Sequence, residues 1–159
     1  MAWYRCVGSN GGGGGSQTIS LANNYRIGVS PTTAKLSPLD ANNYITVSGN
    51  VVTYHRNNVN YGLWIYTPLL TAGKVYAFSC DEITNSDKYF YLDYATTIST
   101  TGDTTITRLG QIVPQTTAVQ NAGRGFVFEA PNDGYYGMVF WSNNTDDISV
   151  TNPCLTEIG

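Results

Sequence analysis

The chain has 159 residues and a formal net charge of −3; 12% of its residues are charged and 13% are aromatic. This length is typical of one domain with an independent core. The scattered Lys and Arg residues form no basic stripe, which argues against nucleic-acid binding, and no apolar run is long enough to span a bilayer. Low charge with twelve Tyr residues and abundant Gly is typical of an extracellular or surface β-protein.

Residues 1–16 are predicted to form an N-terminal attachment tail. An uninterrupted glycine run at 11–15 gives the backbone maximal freedom and separates an apolar strip around Trp3 and Tyr4 from the compact domain, residues 17–159. The tail is either disordered, or its aromatic residues dock onto a partner or an open sheet edge. The start lacks the apolar core of a secretory signal. We therefore expect a signal that was removed, or export by another route such as release of an assembled virus particle.

The next segments read as short strands without helical periodicity. QTISLA and YRIGV are candidate strands, whereas SPTTAKLSPLD is expected to be a turn-rich connection because Pro31 and Pro38 block regular pairing. Strands at Tyr44–Ser48 and Val51–His55 are joined by Gly49-Asn50, which suits a two-residue hairpin. Further strands are predicted at 61–67, 74–81, 88–94, 104–109 (a weak edge strand), 126–130, 135–142, 148–150 and 154–158.

These nine or ten strands predict an all-β fold, an antiparallel β-sandwich of jelly-roll type, with a single β-barrel as the alternative. The odd count of three cysteines argues against a disulfide framework. Cys80 and Cys154 are expected to be small buried residues. A bridge between them stays open, if the last strand lies beside the strand at 74–81.

Three segments carry a resemblance to a known family. PLLTAGKVYAFSCD resembles the "L.aGktY.lS" strand of family 4/9-like carbohydrate-binding modules, and FVFEAPNDGYYGMVFW and ISVTNPCLTEIG resemble their closing strands. The resemblance covers residues 39–159 and implies a jelly-roll sandwich. It implies a sugar-binding function as well, in a domain type common in bacteriophage tail and baseplate proteins and in gut bacterial surface proteins. Because such families vary their binding aromatics, no ligand residue is carried over from the resemblance.

Strand alternation picks out the candidate binding residues. In the strand at 61–67, Leu63 and Ile65 suit the core, so Trp64 and Tyr66 face the other way; large aromatics on that face either cover a second layer or bind a ligand. The strand at 88–94 presents Tyr89, Tyr91 and Asp93 opposite its better core set. The predicted ligand-binding residues are Trp64, Tyr66, Tyr89, Tyr91, Asp93 and Trp141.

Catalytic chemistry is sparse in the sequence. The single histidine, His55, is the only base available to a Ser–His or Cys–His pair, and its place near a strand end favours an ordinary polar residue. No GxSxG, HExxH or phosphate-binding motif is present. No cofactor is expected, although the acid pairs Asp81-Glu82 and Asp146-Asp147 are candidates for a structural calcium ion.

The sequence thus predicts a non-enzymatic, carbohydrate-binding-like domain, extracellular or on a virion, that adheres to a cell-surface glycan. The alternative is a structural virion or surface-assembly subunit, for instance a trimer, whose aromatic faces pack between copies and whose tail docks onto a neighbour. A polysaccharide-degrading enzyme that uses Asp93 is the third hypothesis. Sugars explain the aromatic pattern because a pyranose has an apolar face and hydroxyl groups that need planar polar partners.

Overall fold

The computed structural model describes residues 17–30, 32–85, 89–112 and 124–159; the side chains of residues 30, 89–90, 111–112 and 124–126 are outside this description. The described part contains fifteen strands and no helix. The strands are β1 (Gln17–Ile19), β2 (Tyr25–Ser30), β3 (Thr33–Lys35), β4 (Tyr44–Ser48), β5 (Val51–His55), β6 (Gly62–Tyr66), β7 (Val75–Cys80), β8 (Glu82–Thr84), β9 (Tyr89–Ala95), β10 (Thr104–Thr105), β11 (Thr107–Ile112), β12 (Arg124–Glu129), β13 (Tyr135–Trp141), β14 (Ile148–Thr151) and β15 (Cys154–Glu157).

The strands form three antiparallel sheets arranged in two layers. One layer is a seven-stranded sheet in the order β10-β3-β2-β6-β13-β9-β11. The other consists of two four-stranded sheets, β1-β15-β7-β12 and β4-β5-β14-β8. The predicted all-β sandwich is therefore confirmed.

The main core lies between the layers and follows the period of two in each strand. Leu63 and Ile65 of β6 enter it, as do Tyr136, Met138 and Phe140 of β13. The opposing sheets supply the other half of this core. Their core residues include Val52, Tyr54, Tyr76, Phe78, Ile83, Ile148, Val150 and Leu155.

Most predicted strands agree with the structure to within one or two residues at each end. The β4–β5 hairpin turns where expected, and Gly49 adopts a φ of 60° that its missing Cβ allows. Two short strands were missed. The sequence placed β3 inside a proline-flanked connection and β8 inside a turn, because neither shows enough alternation to stand out. No helix in the described residues is long and apolar enough to cross a membrane.

The register of β15 bears on the cysteines. Cys154 pairs with Ser79 of β7, so the neighbouring Cys80 points to the opposite face of that sheet. This register argues against a Cys80–Cys154 bridge, because their side chains diverge. Cys154 is nevertheless disulfide-bonded, so the expectation that it is only a small buried residue is wrong. The expected burial of both cysteines is confirmed.

Candidate functional site

The outer face of the seven-stranded sheet, turned away from the main core, carries the aromatic residues that the alternation predicted. Val139 of β13 pairs with Trp64 of β6 on one side and with Tyr91 of β9 on the other, so the three side chains form a row across the sheet. This face has a small apolar cluster of its own, separate from the main core. The face is divided into a sealed end and an open end.

A covering segment, residues 96–106, seals one end of the face. Its Ile106 is buried against Trp64, Ala34 and Ala95, and Ile98 packs on the same cluster. Arg26 of β2 holds this segment in place through hydrogen bonds.

The Arg26 side chain is 4% exposed. It donates hydrogen bonds to the carbonyl oxygens of Gly102, at 3.3 Å, and Ser99. At the rim, Lys35 and Asp103 form an ion pair at 2.7 Å. The segment is therefore anchored through both its backbone and its side chains.

Trp64 lies beneath this segment and is 0% exposed. Its direction was predicted correctly, but the expectation that it faces a ligand is wrong for this structure, because the covering segment forms the second layer above it. The indole stacks on Tyr66, with ring centroids 4.9 Å apart. Arg26 lies 5.7 Å from the Tyr66 ring on the same face. Trp64 and the half-buried Tyr66 thus belong to the sealed end.

The open end contains a groove of about 470 Å³. Its floor exists because Gly28 and Gly62 pair directly across β2 and β6, so two adjacent outward positions carry no side chain. A Cβ on Gly28 would stand 3.6 Å from Val139, in the space of the groove. The described lining residues are Gly28, Val29, Asn60, Gly62, Tyr91, Arg108, Val139 and Trp141.

One wall of the groove contains a layered group of three side chains. Asp93 is 0% exposed and accepts hydrogen bonds from Arg108, with Nε–Oδ1 at 3.0 Å and Nη2–Oδ2 at 3.4 Å. The Arg108 guanidinium lies over the Tyr91 ring, 4.0 Å from its centroid. Burial raises the pKa of the Asp93 carboxyl, and Arg108 opposes that shift. The expected outward Asp93 is therefore buried: it positions Arg108 and does not line the groove.

Another part of the lining comes from Trp141 and from Asn60 in the 56–61 loop. Trp141 is half-buried, and its Nε1 donates a hydrogen bond to the carbonyl oxygen of Val59. Arg56, 5% exposed, holds this loop by donating to the Tyr61 carbonyl oxygen at 2.8 Å. It ties the loop to the 142–146 connection through the carbonyl oxygens of Ser142, Asn144 and Asp146.

Of the six predicted binding residues, the structure brings Tyr91 and Trp141 together at the groove. Tyr89 is the backbone partner of Trp141, but its side chain is outside the described part. The sequence reasoning missed Arg108, Asn60 and the Gly28–Gly62 floor. The sequence did contain a signal for Arg108. If the predicted strand at 104–109 pairs with the strand at 88–94, the Arg108 cation can lie opposite the Asp93 carboxylate. Whether any of these residues contacts a ligand stays a prediction.

The single histidine lies elsewhere, on the polar outer face of the sheet that contains β4 and β5. His55 Nε2 is 2.8 Å from Thr46 Oγ1, and His55 Nδ1 is 2.7 Å from Asp147 Oδ2. The Tyr44 ring stacks on the imidazole at 4.6 Å. The order hydroxyl, imidazole and carboxylate resembles an activated nucleophile. Thr46, however, lies on a regular strand outside the groove, and we interpret the row as a polar contact that joins neighbouring strands.

Several oxygen atoms of the candidate calcium ligands already have partners. The carbonyl oxygen of Asp146 accepts hydrogen bonds from Arg56 at 2.9 Å and from Asn85 at 2.9 Å, while Asp147 pairs with His55. Asp81 Oδ2 accepts from Asn152 at 3.2 Å. Within the described ranges, no three His, Cys, Asp or Glu residues are grouped so that they could hold a metal ion. A calcium ion needs six to eight oxygen ligands, and its presence here stays a prediction.

Neither a protein-family model nor a curated protein sequence matches the chain. Several solved structures share its fold. A xylan-binding module of family CBM15 superposes with a TM-score of 0.52 and 9% identity, over 91% of this chain and 96% of that one. The K1 cleaved adhesin domain of Lys-gingipain from Porphyromonas gingivalis W83 gives 0.50 and 11% identity, over 92% of this chain and 99% of that domain.

A third similar structure is the xylanase 10B from Clostridium thermocellum, a CBM22–GH10 protein in complex with xylohexaose, with a TM-score of 0.51 and 12% identity. The match covers 91% of this chain but 28% of that protein. At such identities these likenesses show the fold alone. The expected jelly-roll fold of carbohydrate-binding modules is confirmed at that level.

Proposed function

We propose that this domain binds carbohydrate without catalysis, and that the sugar lies in the groove between Tyr91 and Trp141. The observation that carries the proposal is this groove: two half-buried aromatic side chains and a facing pair of glycines line it on a rigid sheet. Tyr91 opposes Val139, and Trp141 lies two residues further along β13, so the two are diagonal neighbours roughly 7–8 Å apart at Cα. That spacing suits a ligand built from ring-sized units.

The chemistry of the lining supports a sugar. Apolar surface comes from Val139 and the two aromatic rings, and a few placed polar groups come from Arg108 and Asn60, the combination typical of small-molecule sites. The groove walls are held by Arg56 and Asp93, so little ordering is needed on binding. Among the described lining residues there is no carboxylate, whereas glycoside hydrolysis needs two.

We place the domain on a cell or virion surface, in a phage tail or a bacterial surface structure, where it adheres to a glycan. Support comes from the low charge of the chain and its resemblance to modules found there. In this proposal residues 1–16 attach the domain to a neighbouring surface protein and allow a homo-oligomer such as a trimer. Those residues lie outside the described part of the chain. Deletion of the tail, followed by light scattering, tests this element separately.

Glycan-array screening followed by calorimetry tests the central proposal. Binding of at least one oligosaccharide is expected, and Tyr91→Ala and Trp141→Ala are each expected to weaken it at least tenfold. Tyr44→Ala is the matched control, because it removes an aromatic ring stacked on His55 on the other side of the sandwich. Loss of affinity in the control alone, or no glycan bound at all, would overturn the proposal.

A further inference from the structure

The groove has an electrostatic character that the aromatic residues alone do not reveal. Arg108 is the single ionisable side chain with a formal charge at neutral pH among its described lining residues. Its counter-ion, Asp93, is 0% exposed, whereas the Arg108 side chain is 27% exposed. The pair therefore presents its positive end to the groove, although the whole chain has a net charge of −3.

The orientation of Arg108 determines which of its donors remain available. Asp93 engages the Nε and Nη2 atoms, at 3.0 and 3.4 Å, and so occupies the side edge of the guanidinium. The end edge, formed by Nη1 and Nη2, also carries two parallel N–H groups. Nη1 hydrogen-bonds to no described residue. Tyr91 lies against the plane of the guanidinium at 4.0 Å and fixes its tilt.

The end edge of Arg108 is thus a planar fork of two N–H groups, held in place by Asp93 and Tyr91. Such a fork matches the two oxygen atoms of a carboxylate. We propose that the ligand is an acidic glycan, in which the end edge of Arg108 binds the carboxylate of a hexuronic acid while the sugar ring packs on Trp141. This inference rests on the proposed function and narrows its ligand class. A neutral sugar hydroxyl would use one donor of the fork and would leave the second donor without an acceptor from the ligand.

Two matched ligand pairs test the proposal by calorimetry on the full chain. The first is a β-1,4-glucuronan hexamer with cellohexaose, which differ at C6 of each ring. The second is an α-1,4-galacturonan hexamer with its methyl ester. The acidic member of at least one pair is expected to bind at least tenfold more tightly than its neutral partner. That preference is expected to shrink as sodium chloride is raised, because salt screens an exposed ion pair.

Two variants assign the effect to the fork, and a third serves as a control. Arg108→Lys keeps the charge and removes the fork, and is expected to lose most of the preference. Arg108→Gln leaves Asp93 buried without its cation and risks unfolding, so the double variant Asp93→Asn/Arg108→Gln removes both charges together. Arg108→Lys and the double variant both keep the net charge of the chain, and Lys74→Gln is the control for loss of a cation elsewhere, because Lys74 pairs with Glu157 in another sheet. The double variant is expected to bind acidic and neutral members equally, and the control to behave as wild type.

The outcomes separate this inference from the function beneath it. Equal binding of both members of each pair, or a preference unchanged in the double variant, overturns the acidic ligand and leaves carbohydrate binding intact. Binding to no glycan overturns both. Exclusive binding of sulfated or phosphorylated sugars, added as two further probes, overturns the hexuronic acid.

Discussion

Gly137 lies directly against the indole of Trp64, so closely that a Cβ built on Gly137 would stand 2.0 Å from Trp64 Nε1. The absent side chain makes room for a large ring beneath the covering segment. Gly137→Ala is therefore expected to destabilise the fold by about 1–3 kcal/mol or more through overpacking. Urea unfolding measures the loss. Gly110→Ala is the control, because nothing lies within 4 Å of its added Cβ; equal losses would contradict the close packing.

The two described tryptophans should differ in access to solvent. In a Trp3→Phe background, a Trp64→Phe variant leaves Trp141 as the emitter, and a Trp141→Phe variant leaves Trp64. Iodide is expected to quench the half-buried Trp141 strongly and the 0% exposed Trp64 weakly. Comparable quenching constants would show that the covering segment does not seal the face.

Filling the groove floor should stop binding without unfolding the domain. A Cβ at Gly28 meets Val139 at 3.6 Å, an ordinary contact, so Gly28→Val extends into the groove. We expect ligand affinity to fall at least tenfold while the free energy of unfolding changes by about 1 kcal/mol or less. Gly110→Val is the matched control, because it makes the same substitution on an edge strand, at a residue outside the described groove lining. Retained affinity in Gly28→Val would place the ligand elsewhere.

Arg56 supports the groove wall from below. Arg56→Met removes a 5% exposed donor from four backbone carbonyl oxygens. Each buried acceptor left without a partner costs about 1–3 kcal/mol, so a total loss above about 3 kcal/mol is expected in urea unfolding. Lys35→Met breaks an exposed ion pair and is expected to cost about 1 kcal/mol or less. Similar costs for both variants would contradict a bracing role for Arg56.

Burial of Asp93 has a consequence for the pH dependence of stability. Because its folded pKa is raised from 3.8, the folded state binds this proton more tightly than the unfolded state. The stability that protonated Asp93 contributes is therefore fully present below pH 3.8. It is lost as the pH rises from 3.8 to the raised folded pKa. Asp93→Asn should lack this fall. Urea unfolding midpoints from pH 4 to 7 test this prediction. If the wild type became more stable relative to Asp93→Asn as the pH rises, the ion pair with Arg108 would have a larger effect on the Asp93 pKa than burial.

The period of two made much of the fold predictable. In β6 it separated Leu63 and Ile65 from Trp64 and Tyr66, and the structure puts these pairs on opposite faces. The sequence could not show that residues 96–106 lie over one end of the outer face. That segment is polar, and its main tether joins Arg26 to backbone carbonyl oxygens, which every residue possesses. For the same reason Trp64 looked available to a ligand.

The site itself was only half predictable. Tyr91 and Trp141 are conspicuous because large rings on an outward face are unusual. Gly28 and Gly62 are equally important to the groove, yet an absent side chain gives no signal until the register of β2 and β6 is known. The Asp93–Arg108 pair likewise depends on how β9 and β11 align across a bulge.

The groove draws its parts from β2, β6, β9, β11 and β13. No peptide cut from the chain can reproduce it, so ligand capture would report the integrity of the whole sandwich. A bound sugar would in turn clamp segments that are remote along the backbone, and the melting temperature would climb with ligand concentration.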